Sequence, residues 1–227
     1  MKQKACTAAG AALALALSLA LLSGCLWLCG TGAPLMTRWM LACAPGAYTT
    51  LPEDAYAPLC RMLTGYLRGG VPEFQYTLTS AAGDAVPLFH SYEQAHMADC
   101  RALFALDRQV LTVSLVLSAA LFVFAARSGH RRPVWKGVAW GSAGFLLLAL
   151  LLLLWGLVNF HGLFVTFHRV AFTNDLWLLN PQTDLLVRLM PTALFIRYAA
   201  LIGAVWGGGT LALLLTALMK LRRTHKA

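Results

Sequence analysis

The chain has 227 residues, 59 % of them hydrophobic, with a mean hydropathy of +0.67 and a net charge of +9. That apolar content excludes an ordinary soluble domain of this length. The positive excess does not point to nucleic acid, because it sits in three short tracts flanking apolar runs, where membrane topology and anionic headgroups account for it.

Four apolar runs, at about residues 5–29, 110–126, 137–160 and 198–219, are each long enough to cross a bilayer. About 17 residues suffice, and lipid offers no partners to exposed backbone groups, so each must be helical. The first run has two readings. Leu22-Ser23-Gly24-Cys25 resembles the lipobox of a bacterial lipoprotein signal peptide, but the apolar run continues through Leu26-Trp27-Leu28-Cys29 and three more spans follow. A retained signal anchor is therefore favoured over cleavage at Cys25.

Charge orients these spans. All nine carboxylates lie either from Glu53 to Asp107 or from Asp175 to Asp184. Lys2 and Lys4 precede the first span. Arg127, His130, Arg131, Arg132 and Lys136 fall between the second and third, and Lys220, Arg222, Arg223 and Lys226 follow the fourth. The positive-inside rule predicts cytoplasmic termini and middle loop, with the acid-bearing segments at about 30–107 and 161–197 outside the cell. The expected fold is one all-α integral membrane domain over residues 1–227. It is a four-helix transmembrane bundle with an extracytoplasmic cap of short helices and a small β-hairpin.

In the first outer segment, Pro52-Glu53-Asp54 reads as a helix start, with proline in the first turn and acids at the positive dipole end. Tyr56, Leu59, Leu63 and Leu67 recur at helical spacing, and Gly69-Gly70 ends the run. Such an apolar face suits the bilayer surface. Residues 74–79 alternate apolar and polar, and the turn-like Ala82-Gly83-Asp84 then predicts a hairpin. Ser91 to Gln94 fits an S-x-x-Q capping box, starting a helix that runs unbroken into the second span. Glu93, His96 and Cys100 share one face of it, and Asp99 lies beside them, one turn from His96. Cys43, Cys60 and Cys100 all fall outside and allow a disulfide, whose connectivity the sequence does not give.

Beyond the third span the helical phase continues, so His161 and His168, seven residues apart, fall on nearly one face. Asn180-Pro181 predicts another cap with a first-turn proline, placing Asp184 and Arg188 i, i+4 on the resulting helix, and Pro191 interrupts it before the fourth span. In that span Gly203 and Gly207 form a small-xxx-small pair, expected to pack closely within the bundle. Trp135 and Trp177 lie near span ends, as interfacial anchors do.

His96 and His168 are the leading candidates for chemistry. A lone interfacial histidine more often snorkels or makes a structural hydrogen bond. Here two stretches rich in histidine and acid open onto one membrane face, and an imidazole with a pKa near 6.5 suits proton transfer. Asp175, flanked by apolar residues, either orients a histidine or pairs with Arg169 or Arg188. No HExxH or comparable spacing supports zinc, no G-x-S-x-G elbow supports a serine nucleophile, and Cys100 on an apolar helix reads as packing.

Two elements carry a family resemblance. Glu93-Gln94-Ala95-His96-Met97-Ala98-Asp99 resembles an E-x-x-H-M-x-D motif. Phe167-His168-Arg169-Val170-Ala171-Phe172-Thr173-Asn174-Asp175-Leu176-Trp177-Leu178-Leu179-Asn180-Pro181 resembles F-H-x-x-x-F-x-N-D-x-W-x-L-x-P, and Asp184-Leu185-Leu186 and Met190-Pro191 continue it. Together they resemble the four-span bacterial family of lipoprotein intramolecular transacylases (Lit). Cys100 departs from the pattern, in which an aliphatic residue is expected. The resemblance implies transfer of the sn-2 acyl chain of a diacylglyceryl-cysteine lipoprotein to the α-amine of the same cysteine, giving an N-acyl S-monoacylglyceryl (lyso) lipoprotein, with no outside acyl donor and no cofactor. The implied partners are the lipoprotein substrate and membrane lipid, not nucleic acid.

On this reading one of His96 and His168 is the base on the amine, and the other stabilises the oxyanion or protonates the leaving oxygen. Asp99 and Asp175 are orienters, while Tyr92, Glu93, Trp177, Asp184 and Arg188 are candidates to bind substrate. The competing readings are a non-enzymatic envelope protein that binds lipoprotein or lipid, and a metal-dependent lipid hydrolase.

Overall fold

The structure is a computed structural model that describes residues 2–79 and 83–223. It divides into two compact units. One is formed by the chain up to Leu26, Asp107–Val158 and the chain from Ala200, and the other by Trp27–Leu106 and Asn159–Ala199.

Among the described residues, four helices are long and apolar enough to cross a membrane: α1 (Lys2–Gly30), α5 (Ser91–Arg127), α6 (Arg131–Ala171) and α8 (Thr192–Arg223). α1 is continuous through Ser23, Gly24 and Cys25. α5 has 37 residues, and at 1.5 Å per residue it is roughly 55 Å long against a hydrocarbon core of about 30 Å. Its surplus is the first half, which carries Glu93, Asp99, Arg101, Asp107 and Arg108, so residues 91–108 lie beyond the membrane-spanning segment. α6 is broken at Asn159, whose backbone (φ −152°, ψ 77°) is not helical. The Asn159 Oδ1 accepts a hydrogen bond from the Gly162 N–H at 2.8 Å, so it caps a separate helical piece that continues to Ala171. The phase from His161 to His168 is thus continuous, with the break just before it.

In the first unit, α1 and α6 approach closely through glycine. A Cβ built at Gly137 would overlap the Thr7 carbonyl, and one at Gly10 would overlap that of Val134. α8 joins through Gly209, against the Leu21 side chain, and through a buried polar contact in which the Trp206 Nε1–H donates to Ser18 Oγ at 2.9 Å. Gly203 and Gly207 meet nothing within 4 Å, so the expected packing role of that pair falls to Gly209 instead. Leu157 is 74 % exposed and Val158 87 %, surface that suits lipid rather than water.

The second unit contains α2 (Ala33–Cys43), α3 (Gly46–Thr49), a 3-10 turn (Glu53–Ala55), α4 (Tyr56–Arg68) and α7 (Leu185–Leu189). The expected hairpin is there, with β1 (Thr77–Thr79) antiparallel to β2 (Ala85–Pro87) and Leu78 opposite Val86. α4 ends as predicted, with Gly69 in the left-handed region at φ 84°. Its apolar face does not lie on a bilayer. Tyr56, Leu59, Leu63 and Leu67 are buried against Met36 and Met40 of α2, a helix the sequence reading did not resolve, and against Leu185 to Leu189. Cys43, Cys60 and Cys100 are all free. The Cys60 Sγ lies 3.7 Å from the Met40 Sδ inside this core, so the disulfide allowed by the sequence is replaced by packing.

Leu63 is fully buried and Leu157 is not. Leu63→Ala should cost about 2–5 kcal/mol, as deletion of buried methyl groups does. Leu157→Ala should change stability by less than about 0.5 kcal/mol. Denaturation of the detergent-solubilised protein measures both.

Candidate active site

The start of α5 is fastened by two carboxylates. Glu93, fully buried, accepts the His90 backbone N–H at 2.7 Å on Oε2 and the Leu186 N–H at 2.8 Å on Oε1. A third-position glutamate reaching back to the residue before the helix is half of a capping box. The box therefore runs from His90 to Glu93, one residue earlier than the Ser91–Gln94 pairing expected, and the Gln94 Nε2–H donates to the Phe89 carbonyl at 3.2 Å. Asp184 is the second carboxylate. Its Oδ1 accepts from the Tyr92 hydroxyl at 2.6 Å and the Thr183 hydroxyl at 2.7 Å, and its Oδ2 from the Asn180 N–H at 2.7 Å.

These bonds set the acidity of both partners. Burial pushes the Asp184 carboxyl up, but the hydrogen bonds from Tyr92, Thr183 and Asn180 outweigh it and hold it below its ordinary value. The Tyr92 hydroxyl, donating to that carboxylate, is pushed up to about 12. Asn180-Pro181 does not start a helix. It begins a turn, and α7 starts at Leu185 with Asp184 before it. Arg188 therefore donates from Nε to the Asp184 backbone carbonyl at 3.3 Å, rather than forming an i, i+4 pair along one helix.

One turn beyond Glu93, His96 meets His168 of α6. Their ring centroids are 6.3 Å apart, and each residue is only 8 % exposed. Phe172 touches both, edge-on to His96 at 5.1 Å and tilted against His168 at 5.5 Å. Phe164 at 4.0 Å, Phe167 at 5.3 Å and Trp177 at 5.1 Å complete an aromatic surround for His168. The wall follows from spacing, since Phe164, His168 and Phe172 recur at steps of four. The sequence reading did not single out Phe164 or Phe172 as site residues, although that period was visible.

The ring nitrogens are not equivalent. The His168 Nδ1 lies 2.8 Å from the Phe164 carbonyl, which can only accept, so Nδ1 carries the hydrogen and Nε2 holds the lone pair. In His96 the Nε2 lies 3.7 Å from the Cys100 Sγ, and the buried Nδ1 has no partner among the described residues. Burial, with a smaller contribution from His168, lowers the His96 pKa to about 4 against the opposing charge of Asp99. His168 is also lowered by burial, partly offset by the bond to Phe164. Both rings are therefore neutral near pH 7. Burial pushes the Cys100 thiol up to about 12, which keeps it protonated.

Among the acids, Asp99 Oδ2 accepts from the Asn174 Nδ2–H at 2.8 Å, linking α5 to the loop that follows α6. Asp175 is exposed, and among the described residues no hydrogen bond or ion pair reaches its carboxylate. His161 is exposed, unlike His168, although the two share a helical piece. His90 stacks on Tyr92 at 5.3 Å near the surface.

Residues 53–195 match the family model described as lipoprotein intramolecular transacylase Lit. The structure is similar to that of the membrane-integral lipoprotein intramolecular transacylase Lit from Bacillus cereus, with a TM-score of 0.75 and 14 % identity, covering 96 % of this chain and 97 % of that one. Two variants of the Bacillus cereus protein, each with one histidine replaced, are also similar. The histidine-to-arginine variant has a TM-score of 0.71 at 14 % identity, covering 96 % of this chain and 92 % of that one. The histidine-to-alanine variant has a TM-score of 0.70 at 15 % identity, covering 96 % and 94 %. No curated protein sequence matches the chain.

The lowered His96 pKa has a consequence for stability. Below pH 6.5 the unfolded chain binds a proton that folded His96 does not take up until about pH 4, so stability should fall as pH drops through that window. The melting temperature in detergent should be lower at pH 5 than at pH 7.5, and His96→Gln should shrink the difference.

Proposed function

This chain belongs to the lipoprotein intramolecular transacylase (Lit) family, and from that premise we propose that it moves the sn-2 acyl chain of a diacylglyceryl-cysteine lipoprotein onto the α-amine of the same cysteine. The amine nitrogen attacks the ester carbonyl carbon and a C–N bond forms. The bond from that carbon to the glyceryl oxygen then breaks, and the proton lost by nitrogen ends on that oxygen. The product is an N-acyl S-monoacylglyceryl lipoprotein, and neither water nor an outside acyl donor is consumed. The observation that carries this reading is the meeting of two neutral, buried imidazoles, 6.3 Å apart, contributed by the two motif-bearing segments.

The hydrogen-bond partners support a division of labour. His168, with Nδ1–H bound to a carbonyl, offers Nε2 as the base that takes the amine proton and returns it to the glyceryl oxygen. The α-amine has an ordinary pKa near 7.7 to 8.0, so a lowered imidazole pKa makes uptake uphill, and positioning must offset that cost. Amine and ester already share one molecule, which removes much of the entropy cost of bringing them together. His96, whose pKa of about 4 makes it a poor base, presents Nδ1–H as a neutral donor to the developing oxyanion. Such a donor is typically worth about 3 to 4 kcal/mol.

In this division Cys100 is a positioning residue, its protonated thiol occupying the Nε2 of His96. Glu93, Tyr92 and Asp184 hold the start of α5, so their part in substrate binding is to shape the site rather than to touch the ligand. Asp99 acts through Asn174, and Trp177 and Arg188 remain candidates for substrate contact. Asp175, being exposed, is assigned to the substrate peptide or solvent instead of to a histidine. The charge pattern supports a site on the outer face of the bacterial membrane, with both termini inside.

Purified variants in mixed micelles, given a diacylglyceryl lipopeptide and followed by mass spectrometry, test the scheme. His168→Gln should slow lyso-product formation about 10²- to 10⁴-fold, and His96→Gln about 10²- to 10³-fold. Free fatty acid in place of the N-acyl product would indicate a hydrolase, and near-normal rates in both variants would overturn the assignment. Cys100→Ser, which keeps a donor toward Nε2, should retain more activity than Cys100→Val.

A further inference from the structure

In the first unit, residues of α1, α5, α6 and α8 line a cavity of about 470 Å³ that the transacylase chemistry does not use. Its lining is of two kinds. Arg131, Lys220 and Arg223 supply three cations, while Phe122, Val134 and Val138 give it apolar walls. Among the described residues, none that lines it is acidic. Asp107 is the only carboxylate in the whole unit, and it is not among them. A wider cavity of about 1210 Å³ shares no residue with the first and is lined by Lys4, Arg132, Lys136 and Arg222, again without an acid. The neighbours Arg131 and Arg132 thus line different cavities.

Cations and hydrocarbon lining one cleft match the two kinds of surface of a glycerophospholipid. The volume falls in the range of small-molecule sites, roughly 300 to 1,000 Å³. A zwitterionic headgroup would add a cation to three that have no acidic partner among the described residues, whereas an anionic headgroup is complementary to them. We propose that the cavity lined by Arg131, Lys220 and Arg223 is a binding site for an anionic glycerophospholipid, its phosphate among the three cations and an acyl chain along Phe122 and Val138. This site is separate from the acyl-transfer reaction and does not rest on it.

Trp135 lines the same cavity and serves as its probe. The full chain is reconstituted in vesicles of phosphatidylcholine containing a small fraction of lipid with brominated acyl chains, which quench tryptophan at contact. The Trp135 signal is taken as the difference from Trp135→Phe. Brominated phosphatidylglycerol should quench at a mole fraction at least about tenfold lower than brominated phosphatidylcholine. The triple variant Arg131→Gln, Lys220→Gln, Arg223→Gln should abolish the preference. Ala125→Trp in a Trp135→Phe background, read by native mass spectrometry of retained phosphatidylglycerol, fills the apolar wall without changing charge and should also weaken binding.

The triple variant Lys4→Gln, Arg132→Gln, Lys136→Gln removes equal charge from the other cavity and should leave the preference intact. Equal quenching by the two lipids overturns the proposal. So does equal loss in both triple variants, which would mean diffuse surface charge rather than a site.

Discussion

The second unit depends on a buried carboxylate that is never left unpaired. Glu93 is fully enclosed, and so polar a group is tolerable there because backbone N–H groups fill both of its oxygens. Those donors come from His90 and Leu186, so one side chain joins the first turn of α5 to a segment more than ninety residues later. Asp184 repeats the device a few residues away, receiving the Tyr92 hydroxyl from the same turn of α5. His96 lies one turn beyond these anchors and inherits their rigidity. Removing one partner of such a bond would leave a buried polar atom unpaired at its full desolvation cost, which is why the arrangement acts as a fastening rather than an adjustable contact.

The two imidazoles reach one another inside an aromatic wall. Phe164, Phe167, Phe172 and Trp177 surround His168, and Phe172 also meets His96. Such walls exclude water and favour uncharged rings, and the partners of each ring decide which nitrogen is free. A carbonyl can only accept, so Phe164 settles the His168 tautomer. The thiol of Cys100 lies beside Nε2 of His96, whose Nδ1 is buried and without a partner among the described residues. Burial thus does two things at once, since it keeps both rings neutral and makes any hydrogen bond they offer stronger than it would be in water.

Helix length divides the molecule in a way that hydropathy alone does not. α5 and α6 are each too long to be only membrane spans, and their surplus turns carry His96 and His168. In α6 the surplus is set off by the break at Asn159, where the side chain replaces a lost helical bond by accepting from Gly162. The same pair of helices therefore supplies apolar spans to the first unit and the two facing histidines to the second. In the first unit glycines let α1 and α6 approach to backbone contact, and the surfaces left over are leucine-rich and exposed, as lipid requires.

Much of this was legible in the residues themselves, because hydrophobic length, helical period and capping are local or nearly local properties. The four apolar helices, the Gly69 stop, the hairpin and the shared face of Glu93, His96 and Cys100 all follow from spacing within a few turns. Contacts between distant segments were not legible. The apolar face of α4 could have met a bilayer or a protein, and only packing against Met36 and Met40 of α2 decided between them. Glu93, Asp99, Asp175 and Asp184 look alike as acids in a string. Their different surroundings came from which backbone amides, side chains or solvent the folded chain brought to them, and a linear pattern carries no information about that.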